Sequence, residues 1–235
     1  MKEAVDRKIP RLQLKPLTDK RMSIVCFGPS LEETWQRIER PIMTCSGAHD
    51  FLLEKGIVPD FHVECDPRPH KLRTTRYPHK GVTYLIASCC DPRVWDQLRG
   101  HKVFMWHMDN GPETREWVKA NDPGGMVLGT GSTVGLRAFH IGGALGYRRF
   151  DVYGMDGSYK DGRYRVWDTS APPQSIYNYK INGRVFKTTD QAINAMSELL
   201  GAIQVYGIDV ELHGDGMNKA YLDWYKNQSG KKDGD

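Results

Sequence analysis

Met22-Ser23-Ile24-Val25-Cys26-Phe27-Gly28-Pro29-Ser30-Leu31 is the stretch that decides how the rest of the chain is read. Ile24 to Phe27 is apolar without alternation. A strand with one wet face alternates, so this run belongs inside a parallel sheet covered on both faces. Gly28-Pro29 breaks the strand. Ser30 is placed to cap a following helix, with Glu33 three residues on in capping-box register. Strand, glycine turn and helix start together open a βαβ unit.

The same rhythm continues downstream. Ile42 to Cys45 reads as a second strand, followed by a helix over Ala48 to Lys55 that Gly56 stops. His62 to Cys65 is a third strand, broken by Asp66-Pro67. Thr83 to Ser88 and Lys102 to Met105 are the next two, with a helix from about Asp91 between them. Gly135 to Leu145 is a helix rich in small residues, and Phe150 to Tyr153 is a sixth strand. Thr189 to Tyr206 is the longest helix and Asp209 to His213 the last strand. The expected fold is α/β and Rossmann-like, a mostly parallel central sheet with helices on both faces.

This domain is expected over residues 21–226, behind a basic N-terminal arm at 1–20 and ahead of a disordered tail at 227–235. Gly154 to Lys187 is rich in Gly, Pro, Tyr and Arg and shows no clear period. A stretch that long inside a compact domain is usually a binding loop, and 157–187 is expected to be a mobile lid.

Of the 235 residues, 39% are hydrophobic and 26% charged, the proportions of a globular protein. No apolar run approaches the roughly 20 residues that span a bilayer. The start carries charges with no apolar segment behind them, so the expected location is the cytoplasm. The five cysteines are Cys26, Cys45, Cys65, Cys89 and Cys90, four of them within or at the end of strand-like runs. Free thiols fit this pattern better than disulfides, and no pair has the C-x-x-C spacing of a zinc site. A net charge of +4 is mild, gives only weak support to nucleic-acid binding, and suits a basic cleft for phosphate-bearing substrates. Oligomerisation is left open.

Four stretches carry the candidate chemistry. Gly28, Pro29 and Ser30 follow the first strand at the ligand-facing edge, where a glycine admits phosphate to the backbone and free N–H groups meet an anion. This is not the G-x-G-x-x-G fingerprint, which disfavours NAD. Asp66 ends the third strand at the same edge, where a carboxylate holds a ribose hydroxyl or a divalent metal. Ser46, after the second strand, joins the nucleotide-binding candidates. Gly131, Ser132 and Thr133 precede a helix in Gly129-Thr130-Gly131-Ser132-Thr133-Val134-Gly135, whose amides and hydroxyls make a nest for phosphate. Asp156 lies just past the sixth strand, with Tyr159 and Tyr164 in the loop behind it. Phenols donate to a leaving phosphate without carrying charge. Among the histidines, His107 in Trp106-His107-Met108-Asp109 is the best-placed base, since it falls directly after a strand. These groups are expected to converge on one cleft.

The order of these elements resembles the MptE-like superfamily. Gly-Pro-Ser-Leu follows strand one, then come Gly56-Ile57-x-Pro59-Asp60 with Asp66-Pro67, Gly131-Ser132-x-x-Gly135, Ala144-Leu145-Gly146-Tyr147, and Gly154-Met155-Asp156. That group includes archaeal 6-hydroxymethylpterin pyrophosphokinases, bacterial motility accessory factors and phage or prophage proteins of unclear role. The chain is also similar to the sialyltransferases of glycosyltransferase family 42. The resemblance implies Gly28, Pro29 and Ser30 at the nucleotide, Asp66 near a metal (Mg2+) or diphosphate, and Ser132, Thr133 and Asp156 lining the nucleotide pocket. It matches Tyr159 and Tyr164 to tyrosines presented to the leaving phosphate. Phe27 stands where the sialyltransferases carry Asn, and Arg184 to Asp190 lacks their histidine. Three functions follow: a glycosyltransferase-like enzyme using a sugar nucleotide with an unknown acceptor, an ATP-dependent pyrophosphokinase on a pterin-like alcohol, and a non-catalytic nucleotide-binding protein.

Overall fold

A computed structural model describes residues 1–167 and 175–229. Strand β1 (Arg21–Val25) lies inside an eight-stranded sheet with β2 (Ile42–Cys45), β3 (Phe61–Glu64), β4 (Thr83–Ala87), β5 (Lys102–Met108), β6 (Val127–Leu128), β7 (Arg149–Tyr153) and β10 (Asp209–His213). The order is β10-β7-β1-β2-β3-β4-β5-β6, and every neighbouring pair is parallel. Strands β8 (Tyr177–Ile181) and β9 (Arg184–Thr188) form a separate antiparallel hairpin. The helices are α1 (Lys2–Asp6), α2 (Leu31–Thr34), α3 (Ala48–Glu54), α4 (Pro92–Gln97), α5 (Pro112–Asn121), α6 (Val134–Ala144), α7 (Asp190–Tyr206) and α8 (Met217–Ser229). The expected α/β, Rossmann-like arrangement is the one observed.

Burial explains the continuous apolar run. Met22, Ile24 and Cys26 join the core that includes Ala138 and Ile141 of α6, while Val25 and Phe27 join Leu31, Phe51 and Leu52 in a second core. The small residues of α6 let the helix lie close to the sheet. A Cβ on Gly142 would stand 2.6 Å from the Phe150 ring.

Several local expectations are corrected. Ser30 does not cap a helix through its side chain. Its backbone is already helical (φ −63°, ψ −14°), and the turn starts with Leu31 N–H donating to Gly28 O and Glu32 N–H to Pro29 O. Glu33 pairs with Lys160 instead of reaching back to Ser30. The stretch read as without period carries the β8–β9 hairpin. Asn182 (φ 44°) and Gly183 (φ 82°) turn it, the positive-φ pair that suits a tight hairpin. The first twenty residues pack onto the domain: Ala4 and Leu12 are buried, Leu12 N–H donates to Met105 O at 2.8 Å, and Met105 N–H to Pro10 O at 2.7 Å. Among the described residues no helix is long and apolar enough to cross a membrane. The expected tail falls partly, and the expected lid centrally, on residues outside the described ones.

Candidate functional site

From β1 to β6 the sheet grows outward in one direction. The chain then returns through α6 and sets β7 on the other side of β1. The turns leaving β1 and β7 therefore diverge at their carboxyl ends, and such a switch point is where open α/β sheets hold ligands.

Gly28 and Asp156 meet across this crevice. Gly28 N–H donates to Gly154 O at 2.7 Å, and Ser30 N–H donates to Asp156 Oδ2 at 2.9 Å. A Cβ on Gly28 would stand 2.3 Å from Asp156 Oδ2 and 2.6 Å from Gly154 O, so the approach requires glycine. Asp156 is 6% exposed, and burial pushes its carboxyl above the ordinary range against the pull of Ser30. Asn218 of α8 closes the back of the crevice: its backbone N–H donates to Asp156 O and its Nδ2 to Met155 O, both at 3.0 Å. The Ser30 hydroxyl and Asn218 Oδ1 are buried here with no hydrogen-bond partner among the described residues. Sequence reasoning passed over Asn218. Its signal was Gly214-Asp215-Gly216, a turn at the carboxyl end of β10.

Ser46 and Asp66 follow the neighbouring strands β2 and β3, and Lys71 connects them. Lys71 Nζ donates to Ser46 Oγ at 2.9 Å and lies 3.8 Å from Asp66 and 3.9 Å from Glu64. Ser46 itself holds φ at 52°, unusual for a residue with a side chain. Arg68 grips both Asp66 oxygens, at 2.8 Å from Nε to Oδ1 and 2.5 Å from Nη2 to Oδ2. Burial opposes ionisation, yet Arg68 and Lys71 hold the Asp66 carboxyl below its ordinary range. Two cations on one carboxylate do not fit a divalent ion. Among the described residues no three His, Cys, Asp or Glu side chains gather to hold one. Glu64 is fully buried and accepts the N–H groups of Cys65 and Asp66 and the Thr74 hydroxyl, a structural role.

The glycine turn before α6 divides. Thr133 caps the helix, its Oγ1 accepting Leu136 N–H at 3.3 Å. Gly135 lies against the crevice, where an added Cβ would stand 2.8 Å from both Cys26 Sγ and Met155 Cε. Gly131 (φ 121°) turns Ser132 the other way. Its N–H and Oγ both donate to Glu198 Oε2 of α7, at 2.8 and 2.7 Å, so a carboxylate of the chain itself fills the position expected for phosphate.

Past Asp156 the chain is strapped over the carboxyl edge. Tyr159 N–H donates to Lys187 O at 2.8 Å, Lys160 and Arg163 each reach a carboxylate after β1 (Glu33 and Glu32) at 2.7 Å, and Val166 N–H donates to Phe27 O at 3.1 Å. Trp167 meets Phe27 edge-on with ring centroids 4.5 Å apart. Within the strap the Tyr159 and Tyr164 rings lie 5.0 Å apart, and the Arg165 guanidinium lies 5.7 Å from the Tyr164 ring. Burial pushes the Tyr164 phenol up. Burial also pushes Arg165 down, and the charges of Arg73 and Arg68 add to that shift.

His107 lies near the carboxyl end of β5, four strands from β1 and buried. β6 pairs with the end of β5 at His107↔Val127, which carries β5 three residues beyond its expected end and draws the histidine into the sheet. It is fully buried between Ser88 Oγ (2.7 Å from Nδ1) and Asp122 Oδ2 (2.8 Å from Nε2), and Asp122 also pairs with Arg11. A substrate has no access to it. A cleft of about 480 Å3 opens at the opposite, amino edge beside Ile9, Trp95 and Phe104, and none of the strand-end turns lines it.

A parallel, doubly wound sheet with interlocked turns at its switch point defines a Rossmann-like α/β protein. A family model described as "6-hydroxymethylpterin diphosphokinase MptE-like" matches residues 1–162, and the chain belongs to this MptE-like family. No curated protein matches it. A solved structure, that of the MAf glycosyltransferase from Magnetospirillum magneticum AMB-1, is similar with a TM-score of 0.65 at 18% identity. The match covers 98% of this chain and 41% of that one, so the chain spans less than half the length of that protein.

Proposed function

We propose that the chain is a group transferase that seats a nucleotide-activated donor at the β1–β7 crevice, and that it acts on a sugar nucleotide as a glycosyltransferase-like enzyme. The observation that carries this reading is the strap, which Lys160, Arg163 and Val166 fasten to the segment after β1 and along which Tyr159, Tyr164 and Arg165 lie together. Phenols and a guanidinium suit the negative charge that gathers on a departing phosphate. A segment fastened across the site keeps out the water that hydrolyses donors. The crevice turns, with Gly28, Pro29 and Ser30, hold the nucleotide, and Ser46 and Thr133 flank it.

The family description favours a second reading, transfer of a diphosphate from ATP to a pterin-like alcohol. Magnesium would be its metal, and Asp66 with its two cations does not supply the ligand. One assay separates the readings. The protein is incubated with sugar nucleotides alone and with ATP and magnesium, and both the melting temperature and the released nucleotide are followed. A shift with slow release of the nucleotide from a sugar donor supports the first. A shift with ATP and release of AMP supports the second. No shift with any nucleotide overturns both.

A further inference from the structure

Five free cysteines stand in one row at the carboxyl ends of four adjacent strands: Cys26 after β1, Cys45 ending β2, Cys65 after β3, and Cys89 and Cys90 after β4. All five belong to or pack against one apolar cluster, which also holds residues of α6. Within the row, Cys26 and Cys45 are set apart by their geometry. The β1–β2 register pairs Val25 with Thr44, so one step on brings Cys26 opposite Cys45. Both sulfurs lie under the first turn of α6. Cys45 Sγ is 4.0 Å from Val134 O, and Cys26 Sγ is 2.8 Å from where a Cβ on Gly135 would stand. Neighbouring strands run about 4.8 Å apart. A disulfide spans Cα separations of about 4.4–6.8 Å, so this pair is within bonding range. Cys89 and Cys90 donate instead to carbonyls at the end of β3 and just after it, Cys89 to Cys65 O at 3.3 Å and Cys90 to Glu64 O at 3.5 Å. The Cys26 thiol and burial push the Cys45 thiol well up.

We propose that Cys26 and Cys45 are a redox modification site that closes to a disulfide by exchange with a low-molecular-weight disulfide. Cys26 is half-buried, whereas Cys45 is 1% exposed, so exchange enters through Cys26. Its thiolate attacks one sulfur of the oxidant and releases one thiol, leaving a mixed disulfide. Cys45 Sγ then attacks Cys26 Sγ, forms the cross-strand bond and releases the second thiol. The two hydrogens lost by the protein appear on the two thiols released. The bond would form two residues before Gly28, drawing the end of β1 toward β2 and away from β7. Oxidation therefore acts at the root of the crevice.

The test uses the reduced full chain with oxidised glutathione as the probe. Titratable thiols, counted after unfolding, should fall from five by two, and a non-reducing peptide map should join the Cys26 and Cys45 peptides. Dithiothreitol should restore all of them. Cys26→Ser, at a half-buried position that tolerates the change, should keep its circular dichroism and lose the reaction, while Cys89→Ser should react as the parent does. Five thiols persisting after oxidation, a link that joins Cys65, Cys89 or Cys90, or a Cys26→Ser chain that still loses two thiols would each overturn the proposal.

Discussion

The backbone N–H of Ser30 meets the buried Asp156 carboxylate at 2.9 Å, and this bond ties the turn after β1 to the turn after β7. Burial raises the Asp156 pKa in the folded chain above its unfolded value. A group shifted this way contributes stability that is complete below the unfolded pKa of roughly 4 and is lost as pH rises through the folded value. Asp156→Asn keeps an oxygen for Ser30 and cannot ionise. Urea unfolding should show the variant gaining on the parent between pH 4 and pH 7.5. A difference that stays flat with pH contradicts the raised pKa. Asp156→Ala strands the Ser30 N–H and should cost about 1–3 kcal/mol at either pH.

Gly28→Ala tests the closeness of the same turns. Its methyl group would run into Asp156 and into the carbonyl of Gly154, and neither can retreat while the sheet register holds. A loss of about 1–3 kcal/mol, or more, is expected in urea titration, together with loss of nucleotide-induced thermal shifts. A variant as stable as the parent would mean that the crevice is looser than described.

Tyr164→Phe removes a single hydroxyl. In a transferase that uses the phenol, turnover should fall by about 10- to 1000-fold while donor affinity changes little. The phenol is largely buried, so a drop in stability of about 1 kcal/mol is expected as well. Lower stability with unchanged turnover would confine Tyr164 to holding the strap in place.

His107→Ala should behave in the opposite way. It leaves Ser88 and Asp122 buried without their shared partner, and a loss of about 3 kcal/mol is expected. The thermal shift caused by a nucleotide should be unaffected, because the residue lies inside the sheet. Burial opposes it, but Arg11 and His107 hold the Asp122 carboxyl below its ordinary range. That contribution is present above the unfolded pKa and disappears as pH falls through the folded one. Acid unfolding of the variant should therefore show a shallower loss than the parent below about pH 4.

What the sequence disclosed followed from strong local rules. Ile24 to Phe27 had no alternation to misread, and Thr189 stood one residue before a long amphipathic helix, where its Oγ1 accepts Ala192 N–H. The cap expected at Ser30 failed because its backbone is already helical, and its N–H goes to a distant carboxylate that no local pattern records. Val127–Leu128 is too short to announce itself, yet it moves His107 from a strand end to a strand interior. Asn182-Gly183 did carry a hairpin signal, masked by the glycines and prolines of the preceding stretch. The encounter of Lys71 with Ser46 joins residues 25 apart in sequence, and only the sheet order brings them together.

The contact of residues 10–12 with Met105 has a further consequence. β6 is so short that it shields only the end of β5, at His107 and Met108, and the N-terminal segment covers the outer edge at Met105. A bare strand edge is a template on which another chain can add its own strand. Trimming the first twelve residues would strip the N–H and C=O of Met105 while leaving the crevice intact. The expected outcome is a less stable protein that sticks to copies of itself, seen as clumping at concentrations where the full chain stays dispersed.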